Sequence, residues 1–474
     1  MLVNLIAAAD CYKFSHPFMI IRDISEMTSY IEPRSGSEFT DEIMLFGVQA
    51  FIRKYLNKQL TLADIDQAER WAKSALIPFN REMWLYVVNE CNGFIPVQLE
   101  ALPEGTVVKH GVPVVQVTYI GKPKFVSIVA VIETALLRAV WYPSTVASNS
   151  RAIKKELIAG LAISSDLDPE TVIQTMLNDF GARGVSSAES AAIGGLAHAV
   201  NFLGSDTFEA IQAAEVYYDH DVDVDGPVII SVPATEHSVT TVNGEEGECE
   251  FIGKVIDTFT DMGFPIISLV ADSYDFDRFV LEYIGGALKD KIEARPNGFI
   301  VVRPDSGEPT EIVPHTLRML DEKFGSTVNQ KGFKVLNPKV RVIQGDGINM
   351  DSIKEITAAI IKAGYSTENV VFGMGGQLLQ APMRDDFSWA MKTNEAVIDG
   401  QRVDVQKRPK TDMRKASKAG KQAVVFNGKD YVAIRDADLK SASHGTRNYL
   451  EPVWRQGKTL RTQTLNQIRE LAKI

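Results

Sequence analysis

The sequence predicts an α/β fold built from parallel βα units, and three observations predict it. First, five apolar stretches each end in a polar, glycine-bearing corner: MLNDFGARG (176–184), VIISVPATEH (228–237), FIVVRPDSG (299–307), VRVIQGDG (340–347) and VVFGMGG (370–376). A β-branched run that stops at Asp, Arg, Ser or Gly reads as a buried strand with an exposed C-terminal tip. Second, helical patterns lie between them. GKVIDTFTDM (253–262) precedes PIISLVAD (265–272), and FDRFVLEYIGGALKD (276–290) precedes FIVVRPDSG. TLRMLDEKF (316–324) precedes VRVIQGDG, and MDSIKEITAAIIKAG (350–364) precedes VVFGMGG. Third, strand and helix alternate roughly every thirty to forty residues, as parallel βα units do. Six or seven such units suit a barrel better than an open sheet. Their strand tips then converge on one side, where sites on these folds are found.

The flanks have a different pattern. Residues 20–145 mix helices with a strand pair around VVKHGVPVVQVTYIG (107–121), for which GVP supplies the turn. Near the other end, QAVVFNGKDYVAIRD (422–436) reads as a hairpin turning at Asn427-Gly428. Residues 1–144 and 385–474 are therefore expected to build one β-rich α+β domain, with the barrel, 145–384, inserted between them. The run FVSIVAVIETALLRAV (125–140) carries Glu133 and Arg138. It is too short and too charged to span a membrane and reads as a buried helix.

Composition narrows the function. At 474 residues the chain exceeds one hydrophobic core. Charged residues are 23% and hydrophobic residues 45%, an ordinary globular mix. A net charge of −11 argues against a nucleic-acid partner but still permits a local basic pocket. Three widely spaced cysteines, Cys11, Cys91 and Cys249, give neither a disulfide framework nor zinc ligand pairs. With no basic region ahead of the N-terminal apolar run, a cytoplasmic location is expected and no membrane partner.

Several residues suit chemistry on a sugar phosphate. Gly375 and Gly376 in GMGG follow a strand and precede a helical start, where backbone N–H groups can meet a phosphate. The structural alternative is simple packing at a corner. Asp305 in RPDSG and Asp346 in QGDG sit at strand tips, placed to accept ribose hydroxyls or, alternatively, to cap helices. Arg303 can pair with Asp305 or meet an anion or a ring. His237 in PATEHS and Asp272 both lie at strand ends, so a carboxylate-oriented imidazole is feasible. KRPKTDMRKASKAGK (407–421) is either a solvated loop or a mobile anion clamp. Walker A, GxGxxG and HExxH patterns are absent.

Read in order, DCYKFSHP (10–17), YIEPRSGS (30–37), LFGVQ (45–49), WYPSTVASNSR (141–151), DFGARGVSS (179–187), NFLGSDT (201–207), SVPATEHS (231–238), ADSYD (271–275), RPDSG, RVIQGDG and FGMGGQLLQ resemble the nicotinamide phosphoribosyltransferases. The collinear match covers nearly the whole chain, although the segment between Arg34 and Phe46 is shorter than in vertebrate-type members. The resemblance implies an irregular β/α barrel of the type II phosphoribosyltransferase kind. It also implies a homodimer with shared sites, and Mg²⁺ with its ligands left open. The implied reaction joins nicotinamide to phosphoribosyl pyrophosphate, with ATP as a regulatory co-substrate acting through a phosphorylated histidine. A nicotinate phosphoribosyltransferase on the same fold is the alternative.

Roles follow from the same resemblance. Phe180 stacks on the nicotinamide, and Tyr12 of a second copy closes the other face. Asp206 accepts from the carboxamide, with Ser268 and Arg303 near the base. A carboxylate about 4 Å from a nicotinate carboxylate costs about 4 kcal/mol at an effective dielectric of 20, so Asp206 favours the amide. Asp305, Gly345 and Asp346 are expected at the ribose, and Gly375 and Gly376 at the 5′-phosphate. Arg34, Arg384, Lys392 and Lys407 are expected to hold phosphates, with Arg183 close by. Lys415 resembles a lid residue over ATP or pyrophosphate. His237 is the expected phosphoryl acceptor, hydrogen-bonded to Asp272.

Overall fold

The computed structural model describes residues 4–411, 416–439, 441 and 446–474. They form two compact units. One comprises Met1–Ser148, Ala213–Asp225 and Pro382–Lys473; the other comprises Asn149–Gln212 and Gly226–Ala381, with Ile474.

The second unit contains the parallel sheet that the sequence predicts. Its strands are β1 (Leu177–Asp179), β2 (Ile266–Val270), β3 (Phe299–Arg303), β4 (Val340–Gln344) and β5 (Val370–Met374), arranged β1-β5-β4-β3-β2. All four pairings are parallel. Isolated parallel bridges continue the ring from Asp179 to Ser205, from Gly204 to Ile230, and from Ala234 to Ser268. The result is an irregular barrel. Ile267, Leu269, Ile300, Val302, Val342 and Phe372 are almost wholly buried, as β-branched and aromatic residues on a two-sided sheet should be.

Segment 228–237 is not a regular strand, contrary to the sequence expectation. Pro227 and Pro233 withhold ladder donors, so only the Ile230 and Ala234 bridges form. The crossover helices match the periodicity better. Met350–Lys362 begins with an Asn349–Ser352 capping box and buries Ile353, Ile356 and Ile360 along one face. The helical run 276–290 is less regular, because Phe279–Ala287 winds as a π-helix.

The first unit centres on a seven-stranded antiparallel sheet. Its order is Gln401–Asp404, Ala390–Ile398, Ile24–Glu32, Val115–Tyr119, Val97–Ala101, Glu451–Arg455, Lys458–Thr459. Strands from both ends of the chain interleave, as the β-rich reading of the flanks requires. Trp84, Trp389 and Trp454 are fully buried in this unit. The GVP segment does not turn a hairpin. Val107–Val108 pairs with Ile43–Met44, because both edges of Val115–Tyr119 are already taken by Ile24–Glu32 and Val97–Ala101. The hairpin of Gln422–Phe426 with Tyr431–Arg435 does form, with Gly428 at φ +96° in its loop. Residues 128–140 of the apolar run fall in a helix that runs Ile128–Ser164, and Phe125 ends the short turn Pro123–Phe125 before it. Among the described residues no helix is long and apolar enough to cross a membrane.

Candidate active site

In the second unit the strand tips gather an aromatic ring, carboxylates and an arginine. Phe180 follows β1, and its N–H donates to the Met374 carbonyl at 3.0 Å. Its half-buried ring lies on the backbone of β5: a methyl group at Gly373 would stand 2.0 Å from Phe180 Cε2. A Cβ at Gly345 would lie 3.5 Å from the same atom and 3.9 Å from Arg303 Cδ. The ring therefore sits on a floor of two glycines, with the arginine beside it.

Asp206 is exposed, and its N–H donates to the Asp179 carbonyl at 2.9 Å. Its carboxylate accepts from the Ser231 hydroxyl. Asp179 is buried and accepts from Gly181 N–H at 2.7 Å. Burial pushes its carboxyl up to about 6, and the nearby Asp206 charge adds to the rise. Ser268 lies on β2, nearly buried, where its N–H donates to the Pro233 carbonyl.

His237 is held against two carboxylates. The Thr235 N–H donates to the Ser268 carbonyl, and Thr235 Oγ1 accepts from Val270 N–H at 2.9 Å, so the turn before His237 is tied to β2. His237 Nε2 lies 3.3 Å from Asp305 Oδ2 and 3.7 Å from Asp272 Oδ1. The expected hydrogen bond to Asp272 is therefore not made. The ring bonds Ser273 Oγ through Nδ1 at 3.0 Å, and the nearer carboxylate is that of Asp305. Asp272 instead accepts the Asp305 N–H through Oδ2 at 3.3 Å. Among the described residues its Oδ1 is buried with no hydrogen-bond partner, as is Arg303 Nε, which lies 3.6 Å from Asp305 Oδ1.

Neither Asp305 nor Asp346 is a helix cap. Glu308 precedes the helix Pro309–Phe324, and Asn349 caps Met350–Lys362. Asp346 is exposed beside Gly345, and its carbonyl accepts from the buried Gln344 amide at 2.9 Å. Gly376 opens only a single turn, Gly376–Leu379, so a long helix dipole does not support this corner. The corner is packed on Gly184, where a Cβ would come within 3.2 Å of Gly376 Cα. This brings DFGARG and GMGG together, with exposed Arg183 adjoining the contact.

The remaining candidates belong to the first unit. Arg34 is anchored by its N–H to the Phe387 carbonyl at 2.9 Å and by its Nε to the Ser388 carbonyl at 3.0 Å. Lys392 pairs in register with Tyr30. Burial pulls its ammonium below the usual lysine range; Arg34, Lys407 and Lys13 add to the fall, while Glu133 opposes it. Lys13 is buried in an ion pair with Glu133 at 2.6 Å. Arg34, Lys407 and Lys13 thus lie near enough to Lys392 to act on it, with the charge of Lys13 offset by Glu133. Arg384 is half exposed and paired with Asp385 at 2.6 Å. Tyr12 is 58% exposed, its ring edge-on to His16. In the basic run, Lys418 and Lys421 are ion-paired to Glu32 and Glu100, a structural role. Lys415 lies outside the described residues.

Sequence reasoning missed Gly373, Ser231, Ser273 and Lys13. Lys13 directly follows Tyr12, and its place in an apolar N-terminal segment was the available signal. Gly373 stands within GMGG but does its work against an aromatic ring.

The model of the nicotinate phosphoribosyltransferase (NAPRTase) family matches residues 175–449, and that of the nicotinamide phosphoribosyltransferase N-terminal domain matches residues 4–99. The chain is 40% identical to a nicotinamide phosphoribosyltransferase of Xanthomonas campestris, over 98% of this chain and 97% of that one. It is 29% identical to one of Acinetobacter baylyi, over 99% and 97%. Among solved structures it resembles a nicotinate-nucleotide pyrophosphorylase from Pyrococcus furiosus, with a TM-score of 0.62 and 17% identity, covering 99% and 95% of the two chains. The human nicotinic acid phosphoribosyltransferase gives a TM-score of 0.55 at 15% identity, covering 98% and 92%. At those identities the likeness concerns the fold.

Proposed function

This chain belongs to the nicotinate phosphoribosyltransferase family, and from that premise we propose that it transfers the phosphoribosyl group of 5-phosphoribosyl 1-pyrophosphate to nicotinamide, giving nicotinamide mononucleotide and pyrophosphate. The observation that carries the choice of nicotinamide is Asp206, an exposed carboxylate on the rim that also presents Phe180. Two relatives matched over nearly their full length bear that activity in their names.

In this reading the bond between ribose C1 and the pyrophosphate oxygen breaks, and its electron pair leaves with pyrophosphate. The pyridine nitrogen supplies the pair for the new C1–N bond. Positive charge develops on the ribose, which Asp305 and Asp346 stabilise, while Arg34, Lys392 and Lys407 hold the leaving group. Phe180 orients the flat base by stacking, and Tyr12 of a second copy covers the other face. Asp206 accepts the carboxamide N–H and repels a ring carboxylate.

Asp272, whose Oδ1 has no hydrogen-bond partner among the described residues, and Asp305 beside it would hold Mg²⁺. When bound there, the ion supplies charge neutralisation at the pyrophosphate.

His237 accepts the γ-phosphoryl of ATP, releasing ADP, and later passes it to water. Nδ1 is the acceptor nitrogen in this reading, since Nε2 faces Asp305 and Asp272, where a phosphoryl group would meet like charge.

Incubation with labelled nicotinamide, phosphoribosyl pyrophosphate and Mg²⁺, with and without ATP, tests the proposal. Labelled mononucleotide is expected, in larger yield with ATP; no mononucleotide would overturn it. His237→Ala is expected to retain slow synthesis and lose the ATP effect, and equal stimulation in the variant would remove the phosphohistidine. For shared sites, inactive Tyr12→Ala and Phe180→Ala chains are mixed. Activity should return in the mixture, and its absence would contradict a site built from two copies.

A further inference from the structure

The loop that presents Asp206 is held from below by a buried imidazole. His198 ends the helix Ala188–His198 and is fully buried. Its Nε2 lies 3.2 Å from the Gly204 carbonyl oxygen, and its Nδ1 lies 3.0 Å from Ser150 Oγ. A carbonyl only accepts, so Nε2 carries the proton and Nδ1 receives the Ser150 hydroxyl. Burial pushes the ring down to about 4 and so keeps it neutral, against the Gly204 and Leu177 backbone, which raise it. Phe202 stacks on it with centroids 5.2 Å apart and planes 15° from parallel.

Gly204 is a constrained point. Its carbonyl also accepts from Asp179 N–H at 3.1 Å, so both lone pairs are used. A Cβ there would stand 2.4 Å from Asn178 Oδ1, so the position has no room for a side chain. The next two N–H groups donate outward, Ser205 to the Ile230 carbonyl at 3.1 Å and Asp206 to the Asp179 carbonyl at 2.9 Å. His198 is the side chain that donates to this segment two residues before Asp206.

We propose that His198 is a positioning residue: by holding the Gly204 carbonyl it aims Asp206, and so sets the discrimination between a carboxamide and a carboxylate on the pyridine ring. This rests on the reading of Asp206 given above.

The test compares kcat/KM for nicotinamide with that for nicotinate, together with KM for phosphoribosyl pyrophosphate. The chains are the wild type, His198→Phe, His198→Gln, Asp206→Ser and the double variant His198→Phe with Asp206→Ser. Phe keeps a ring against Phe202 and removes the donor; Gln restores an N–H. The amide preference is expected to fall about five- to tenfold in His198→Phe, through KM for nicotinamide. KM for phosphoribosyl pyrophosphate should stay level, and His198→Gln should recover most of the preference. On the Asp206→Ser background His198→Phe should change the ratio no further. An unmoved ratio in His198→Phe, an equal rise in both KM values, or the same drop without Asp206 would overturn the inference. If His198→Phe does not fold, His198→Leu carries the same expectations. Should Asp206→Ser itself leave the ratio unmoved, the reading of Asp206 fails. Should it move the ratio while His198→Phe does not, only the role of His198 fails.

Discussion

At Asp206 the carboxylate is exposed, fixed by its own N–H to Asp179 and oriented by the Ser231 hydroxyl. A carboxamide N–H₂ and a ring carboxylate meet that group with opposite sign. The like-charge penalty is about 4 kcal/mol at 4 Å and an effective dielectric of 20, an upper bound near a thousandfold. Asp206→Ser is therefore expected to raise nicotinate use relative to nicotinamide by at least about tenfold, read as the ratio of the two kcat/KM values; an unchanged ratio would remove the charge argument. Strand-tip positions were legible where an acid or an arginine ended an apolar run, as at Arg303, Asp305 and Asp346, whereas Asp206 came only with the family resemblance. Residue chemistry was not legible where the partner comes from a distant segment. Ser273 and Asp305 face His237 from two different loops, and no spacing in the sequence announces that pairing.

The strands of the second unit act together as a scaffold for the ring of Phe180. Because β5 is in register with β1, Gly373 lies opposite Asn178, one pair before the Met374–Asp179 pair from which Phe180 departs. Gly373→Ala would drive a methyl group into that ring. We expect KM for nicotinamide to rise about tenfold or more, with about 1–3 kcal/mol lost in stability. Kinetics and thermal unfolding check this, and a variant with unaltered KM would show that the ring does not bear on the base. Apolar runs and glycine corners were enough to read β2 to β5 and the crossover helices. Segment 228–237 was misread as a strand because its apolar residues outweighed Pro233 and the Pro227 just before it, whose missing N–H groups leave only bridges. The GVP turn failed for a topological reason: neighbouring strands had already filled both edges of Val115–Tyr119.

On the scale of the whole molecule, an acidic chain of net charge −11 carries a local group of cations, Lys13, Arg34, Lys392 and Lys407. Composition argued against a nucleic-acid partner but could not reveal this group, because its members come from both ends of the chain and meet only in the folded first unit. Burial and its neighbours lower the pKa of Lys392, so its charge is lost earlier than that of an ordinary lysine as pH rises. The profile of kcat/KM for phosphoribosyl pyrophosphate should fall on the alkaline side at a pH below the usual lysine range. Lys392→Arg, always charged, should move that limb upward; a limb that stays put would assign it to another group. That the two flanks share one β-rich domain was foreseen from their short alternating segments, and the second unit's barrel from its repeated βα pattern; the interleaved strand order was not. The account as a whole turns on one comparison: wild-type protein given nicotinamide and nicotinate together, at equal concentration, with phosphoribosyl pyrophosphate and Mg²⁺. The prediction is that nicotinamide mononucleotide dominates the product by about a hundredfold or more. Comparable amounts of the two mononucleotides, or an excess of the nicotinate product, would contradict it.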